Sequence, residues 1–410
     1  MWNIDNIISK KSIVTLFQPI ISIKKKSVIG YEVLSRGIDS DGNIISAFDL
    51  FESARKADKL CELDNICRLL AIEKYHMLFE SAYLFINFEI SGLNKGESGK
   101  NDLIVSLNTL VEKLELLNIE PSKIVIEIIE SKVKNLDNLK FFTDLCKSYN
   151  LMIALDDVGS GHSNLNRIPL LKPNIIKIDR YLVTDIHKDY YKKEVFKSIT
   201  SLSRMIGTLV ISEGVETEEE AISSIELRAD MIQGYYFSKP IENPNNNINP
   251  QIELLYNRFR EYFTKKTKKN KMLNHILIKN VRRFSKELEI DFSNGNLIST
   301  NLKNKINIFL KENTYVECVY FINSFGKQIS QTFFHKDVPV SSDKTLFSPA
   351  AKDDDHSLKQ YFYQLTVSHN NYYITNNYIS MATGNRCKTI STYINDDIIL
   401  ALDINLKAQK

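Results

Sequence analysis

The sequence predicts an α/β chain: a TIM-type (β/α)8 barrel over residues 1–245, a helical connection over 246–300, and a smaller α+β domain over 301–410. Short apolar runs recur through the first 240 residues, and amphipathic stretches lie between them. Most of the runs close on, or just before, a polar residue suited to metal or phosphate chemistry.

The runs VTLFQPI (14–20), VIGYEVL (28–34), YLFINF (83–88), KIVIEII (123–129), LMIALDD (151–157), NIIKID (174–179), TLVISEG (208–214) and MIQGYYF (231–237) are rich in Ile, Val, Leu and Tyr. Their nearly continuous apolar character suits parallel strands buried on both faces. Between them, 47–79 and 136–149 repeat apolar residues every three or four positions, as helices covering a sheet do. The polar closures are Gln18, Glu32, Asn87, Glu127, Asp156 with Asp157, Lys177, Glu213 and Gln233. One of them alone is explained as a helix cap. The series, at roughly even βα spacing, describes the mouth of a barrel, where strand ends gather.

After this pattern IENPNNNINP (241–250) breaks the periodicity with Pro and Asn. Residues 251–288 then read as one helix through Ile252, Leu255, Phe259, Phe263, Leu273 and Ile276. Its patch of Lys265, Lys266, Lys268, Lys269 and Lys271 has few aromatics near it and reads as a solvated face. VECVYFINSFGKQIS (316–330) suggests a hairpin turning at Asn323, Ser324, Phe325 and Gly326. YYITNNYIS (372–380), CKTISTYI (387–394) and DIILALDIN (397–405) add strands, with a turn at Ala382, Thr383, Gly384 and Asn385. The result is a mainly antiparallel sheet with helices, fit for a ligand sensor or a dimerisation surface.

Composition sets wider limits. Charged residues are 25% of the 410 and the formal net charge is +3, which argues against adhesion to a nucleic-acid polymer or a membrane. Cys61, Cys67, Cys146, Cys318 and Cys387 are scattered and form no CxxC pair, as expected in a reducing compartment. No run approaches the roughly 20 apolar residues of a membrane span. The opening MWNIDNIISKK lacks the apolar core of a signal peptide, so a cytoplasmic location is expected.

Glu32, Asn87, Glu127 and Asp156 offer three carboxylates and an amide oxygen. Hard oxygen ligands without His or Cys favour Mg²⁺ or Mn²⁺ over zinc. Adjacent Asp156 and Asp157 suit two ions sharing a phosphate ester. Lys177 supplies a cation for an attacking water or for charge at phosphorus. His162 has no second His at ligand spacing and reads as a loop or dimer contact. Tyr235 and Tyr236 fit base stacking and packing equally.

Residues 10–242 resemble the EAL domain, a metal-dependent phosphodiesterase of cyclic di-GMP. The likeness rests on separate motifs in the family's order: FQPI (17–20), YEVLSR (31–36), FIN (85–87), EIIES (127–131), DDVGSGHSNL (156–165), IKID (176–179), SEGVET (212–217) and QGYYFSKP (233–240). It implies the EAL barrel fold and two Mg²⁺ or Mn²⁺ ions. Glu32, Asn87, Glu127 and Asp156 would hold the first ion and Asp157 the second, with Glu213 nearby through water. Lys177 would contact the nucleophilic water, Gln233 would order the shell, and Glu130 would steady the loop from Asp156. Gln18, Leu34 and Arg36 would meet the substrate, and Glu216 would play a supporting part. A homodimer is expected from the apolar seam of the 251–288 helix, which needs a partner to bury it, and from the loop after Asp156, which resembles a loop at the family's dimer contact.

Departures are few. Val33 replaces the middle Ala of the name motif, and Val158, Ser160 and His162 stand where Phe, Thr and Tyr are usual. The rival expectation, a catalytically weak cyclic di-GMP receptor, would call for a lost ligand, and none is lost. The tail 361–391 resembles the ligand-facing part of a PAS-like or Cache-like module. Lys359 stands there at the basic position that pairs with a ligand carboxylate, which makes a small-molecule ligand of this domain a further expectation.

Overall fold

The computed structural model describes residues 2–79, 81–128, 133, 135–160, 166–244, 248–293, 299–338, 350–368, 370–380 and 383–406, with the side chains of residues 95 and 293 left out. Two compact units divide the chain, Met1–Thr264 and Lys265–Lys410.

The first unit is built on strands β1 (Ile13–Ser22), β2 (Ser27–Ile38), β3 (Ile44–Ile45), β4 (Tyr83–Asn87), β5 (Ile124–Ile128), β6 (Met152–Val158), β7 (Ile175–Ile178), β8 (Leu209–Ser212) and β9 (Met231–Ile232). Their order is β1-β9-β8-β7-β6-β5-β4-β2-β3, and β1 also pairs with β2, so eight strands close into a barrel with β3 appended. Strands β2 and β4 through β9 run parallel. β1 is antiparallel to both its neighbours, which corrects the expectation that all the strand ends point one way. The reason is local. Only residues 23–26 join β1 to β2, whereas a parallel crossover needs a dozen or more.

Local chemistry sets the helix ends. The helix Glu218–Glu226 starts in a capping box between Thr217 and Glu220, and Tyr190–Ile206 starts on Asp189 and stops at Gly207 in the left-handed region (φ 75°). The expected stretch 47–79 is two helices, Ala47–Lys56 and Leu60–Leu78, broken near Asp58 (φ 54°). The last run is a strand only at Met231–Ile232. Beyond it Gly234 packs so tightly that a Cβ would lie 2.1 Å from the Val215 carbonyl oxygen.

Two apolar layers result. Outward residues of the strands pack with the surrounding helices, Ile86, Ile126, Ile176 and Val210 among them. Inside the barrel, Ile20, Phe85, Val125, Ala154, Ile175, Ile211 and Met231 form a plug to which seven strands each give one residue.

A helix of 45 residues, Asn249–Ser293, runs longer than the expected 251–288. In the second unit β10 (Val316–Asn323), β11 (Phe333–Phe334), β12 (Tyr372–Ile374), β13 (Tyr378–Ile379), β14 (Arg386–Asn395) and β15 (Ile398–Asn405) make one antiparallel sheet of order β11-β10-β15-β14-β12, with β13 on β14. The turn after Asn323 forms, and its return arm meets β10 at the bridge Ile322–Gln328 without forming a full strand there. The run 372–380 is two short strands.

Candidate active site

The polar residues stand two positions past the apolar plug. Asn87, Glu127, Asp156, Lys177, Glu213 and Gln233 follow Phe85, Val125, Ala154, Ile175, Ile211 and Met231. Side chains alternate along a strand, so a step of two keeps them inside the barrel, one layer nearer the mouth. β1 runs the other way, and there the residue two positions before Ile20, Gln18, occupies the layer. Glu32 lies opposite Gln18, in mid-strand and not at a strand end.

Lys177 is the centre of this layer. Its Nζ lies 2.5 Å from Glu127, 2.6 Å from Glu213, 3.3 Å from Glu32 and 3.5 Å from Asp156, and the side chain is 1% exposed. Burial alone would push the ammonium pKa down, but the carboxylates around it hold it well above its ordinary value. Burial also pushes the acids up: Glu127 with help from Glu32, and Asp156 and Glu213 against the pull of Lys177.

Gln233 Nε2 donates to Glu32 Oε2 at 2.6 Å and to Gln18 Oε1 at 3.2 Å, while Gln18 Nε2 donates to the Ser238 carbonyl at 3.2 Å. Asn87 Nδ2 reaches Glu32 Oε1 at 3.4 Å. Asp157 adopts φ 56°, and the β6–β7 register shifts between Leu155 and Val158. This bulge breaks the alternation that would send adjacent side chains to opposite faces. Carboxylate oxygens of Asp156, Asp157 and Glu213 consequently lie within 4.8 Å of one another.

These residues fit divalent cations. Four acids share one ammonium, and among the described residues Glu127 Oε2 and Gln233 Oε1 are buried without a hydrogen-bond partner. Buried acceptors in that state need added positive charge or donors.

Leu34 lines both this cavity and an adjoining one of ≈ 290 Å³, which also holds Arg36 and Asn87. The Arg36 guanidinium donates to the Ser35 carbonyl at 2.8 Å. Glu216 pairs with Arg180 at 3.1 Å near the mouth, and Tyr235 lines the mouth half exposed while Tyr236 packs on Phe237. Glu130 and His162 lie outside the described residues.

The sequence reading missed the buried pair Asp64–Arg68 in the wall of the adjoining cavity, where Arg68 also bonds Ser106 and covers the Phe88 ring. An Asp and an Arg four apart on an otherwise apolar helix face were the available signal.

A closed barrel with an acidic, lysine-centred layer at one end defines the class of the site. The chain belongs to the EAL domain family, whose profile matches residues 3–240. The uncharacterised EAL-domain protein YkuI of Bacillus subtilis is 24% identical over 98% of this chain and 95% of its own. The crystal structure of YkuI with cyclic di-GMP and calcium shares the fold across 99% of both chains, with a TM-score of 0.82 at 23% identity. The cyclic di-GMP phosphodiesterase PdeA of Borreliella burgdorferi is 29% identical over 55% of this chain, which spans 33% of that protein. BlrP1 of Klebsiella pneumoniae, solved with manganese and cyclic di-GMP, matches 57% of each chain at 25% identity and a TM-score of 0.50.

Proposed function

We propose that the barrel hydrolyses one phosphodiester of cyclic di-GMP to linear 5′-pGpG, using two Mg²⁺ or Mn²⁺ ions. The observation that carries this reading is the buried set Glu32, Glu127, Asp156 and Glu213 around Lys177, with Asp157 brought alongside by the bulge. Relatives that bind manganese or calcium together with cyclic di-GMP support the same reading.

Glu32, Asn87, Glu127, Asp156 and Asp157 would hold the ions, which supply charge neutralisation at the phosphoryl oxygens and acidify a water. In the reaction a water oxygen bonds to phosphorus as the bond to O3′ breaks, and the leaving O3′ takes a proton. Lys177 offers its proton-rich head where negative charge grows. Gln233 fixes Glu32 and keeps a free acceptor for a water proton. Gln18 holds Gln233, and Glu213 holds Lys177. Arg36, with Leu34 beside it, is placed to take a phosphate through its guanidinium fork.

The reading extends to a cytoplasmic homodimer of barrel (1–245), connector (246–300) and a PAS-like or Cache-like domain (301–410) that regulates it. Chromatography of cyclic di-GMP incubated with the full chain and Mg²⁺ or Mn²⁺ tests the activity. Linear dinucleotide is expected; intact cyclic substrate retained on the protein would favour the receptor instead.

A further inference from the structure

The sheet of the second unit buries its two faces differently. Val319, Phe321, Leu400 and Leu402 pack under Leu277, Val281 and Phe284 of the long helix and under Ile306 and Phe309. The opposite face places Cys318, Tyr320, Ile399 and Ala401 against the helix Gln360–Ser368. On this second face opens a cavity of ≈ 630 Å³, a volume that accommodates a small organic molecule.

Asp403 faces into that cavity from the central strand β15, in register between Cys318 of β10 and Thr389 of β14, and is 6% exposed. Tyr378 and Thr389 hydroxyls both donate to its Oδ1, at 3.1 and 2.8 Å. A single carbonyl oxygen would hold those two groups equally well, so tethering them does not account for a charge. Among the described residues no Lys, Arg or His forms an ion pair with Asp403. Burial pushes its carboxyl up to about 6, while the two hydroxyls that donate to Oδ1 favour the charged form, as would a cation brought into the cavity.

The rest of the lining favours positive charge. Among the described lining residues, exposed Asp354 and Asp355 accompany the cation Lys359, so together with Asp403 the acids outnumber the lysine. Tyr320, Tyr361 and Tyr378 add aromatic walls, whose faces attract cations. The Tyr361 hydroxyl is fixed by His356 Nδ1 at 2.6 Å, and Tyr320 stacks on the His356 ring, so these walls are set before any ligand enters.

We propose that this cavity binds a small organic cation, a primary amine on an apolar body, whose ammonium pairs with Asp403 while Tyr320, Tyr361 and Tyr378 enclose the remainder. The anionic mouth works against a ligand that carries a carboxylate, despite Lys359.

The test is calorimetric titration of the full chain, in an amine-free phosphate buffer near pH 7.5, with four probes on one phenyl scaffold. These are phenethylamine, 2-phenylethanol, phenylacetate and phenylalanine: cation, neutral, anion and zwitterion. Phenethylamine should bind at least about tenfold more tightly than each of the others. Asp403→Asn, which keeps an acceptor for Tyr378 and Thr389, should erase that preference without lowering the melting temperature. If Asp403→Asn fails to fold, the ranking on the unaltered chain decides alone. Binding of the alcohol as tight as the amine, tighter binding of phenylalanine, an unchanged preference in folded Asp403→Asn, or no binding of any probe at millimolar concentration would each overturn the proposal.

Discussion

The Lys177 ammonium sets one positive charge against four carboxylates within 3.5 Å, and the balance fixes how the barrel should respond to pH and to substitution. Glu127, Asp156 and Glu213 have raised pKa values, so folded, metal-free protein keeps protons that the unfolded chain has already released. Their contribution to stability is therefore present at low pH and is lost as pH rises through the folded values. In EDTA the melting temperature should fall from about pH 5 towards pH 8, and Mg²⁺ should restore it at the upper end. A flat melting profile, or one indifferent to Mg²⁺, would show that these acids are not crowded. Lys177 stays protonated throughout that window because its own pKa is pushed up. The kinetic roles of two cations also separate at this scale. Lys177→Ala should lower kcat by about 10²- to 10³-fold, as expected when charge stabilisation in the transition state is lost. Arg36→Ala should mainly raise KM, by about tenfold, as loss of a charged hydrogen-bonding anchor does. Steady-state kinetics on both variants checks the division, and a shared kinetic signature would remove it.

At the scale of elements, the apolar runs identified the barrel strands because a strand buried on both faces has almost no alternative composition. Orientation was less legible: VTLFQPI reads equally well in either direction, and only the short connection at 23–26 marks β1 as antiparallel. The same reversal explains why Gln18 precedes its apolar neighbour Ile20 while Asn87 and Glu127 follow theirs. The convergence of Asp156 and Asp157 depends on a bulge with positive φ at a residue that is not Gly, which composition does not reveal. The break at Asp58 was hidden in the same way. Gly234 carries an element-level prediction, since its Cβ position lies 2.1 Å from Val215 O and 2.3 Å from Val215 N. Both are backbone atoms and cannot swing away. Gly234→Ala should cost at least about 2 kcal/mol by urea denaturation, in the range of steric strain in a packed core. A change within about 0.5 kcal/mol would mean that the segment after β9 adjusts freely.

For the whole molecule, the break at 241–250 does not mark where the barrel's packing ends. Ile252 and Leu255 in the long helix are fully buried in the barrel's outer layer, and the compact unit runs to Thr264. A chain cut after Pro250 loses both side chains, at about 2–5 kcal/mol for each large core residue removed. A chain ending at Thr264 should melt cooperatively close to the barrel transition of the full protein, whereas the shorter one should melt markedly lower. Equal melting of the two truncations would show that the start of the helix adds nothing. If the second unit regulates turnover, the 1–264 chain should keep metal dependence but work at a different rate.

The central claim is that the buried acids around Lys177 serve divalent cations in phosphodiester cleavage. It is tested most directly by timing the appearance of linear dinucleotide from cyclic di-GMP, for the unaltered chain and for Glu32→Ala, with EDTA and then with excess Mg²⁺ or Mn²⁺. The unaltered chain should be silent in EDTA and recover with added metal, while Glu32→Ala should remain slower by several orders of magnitude. Full activity in EDTA, or full activity of Glu32→Ala, would contradict it.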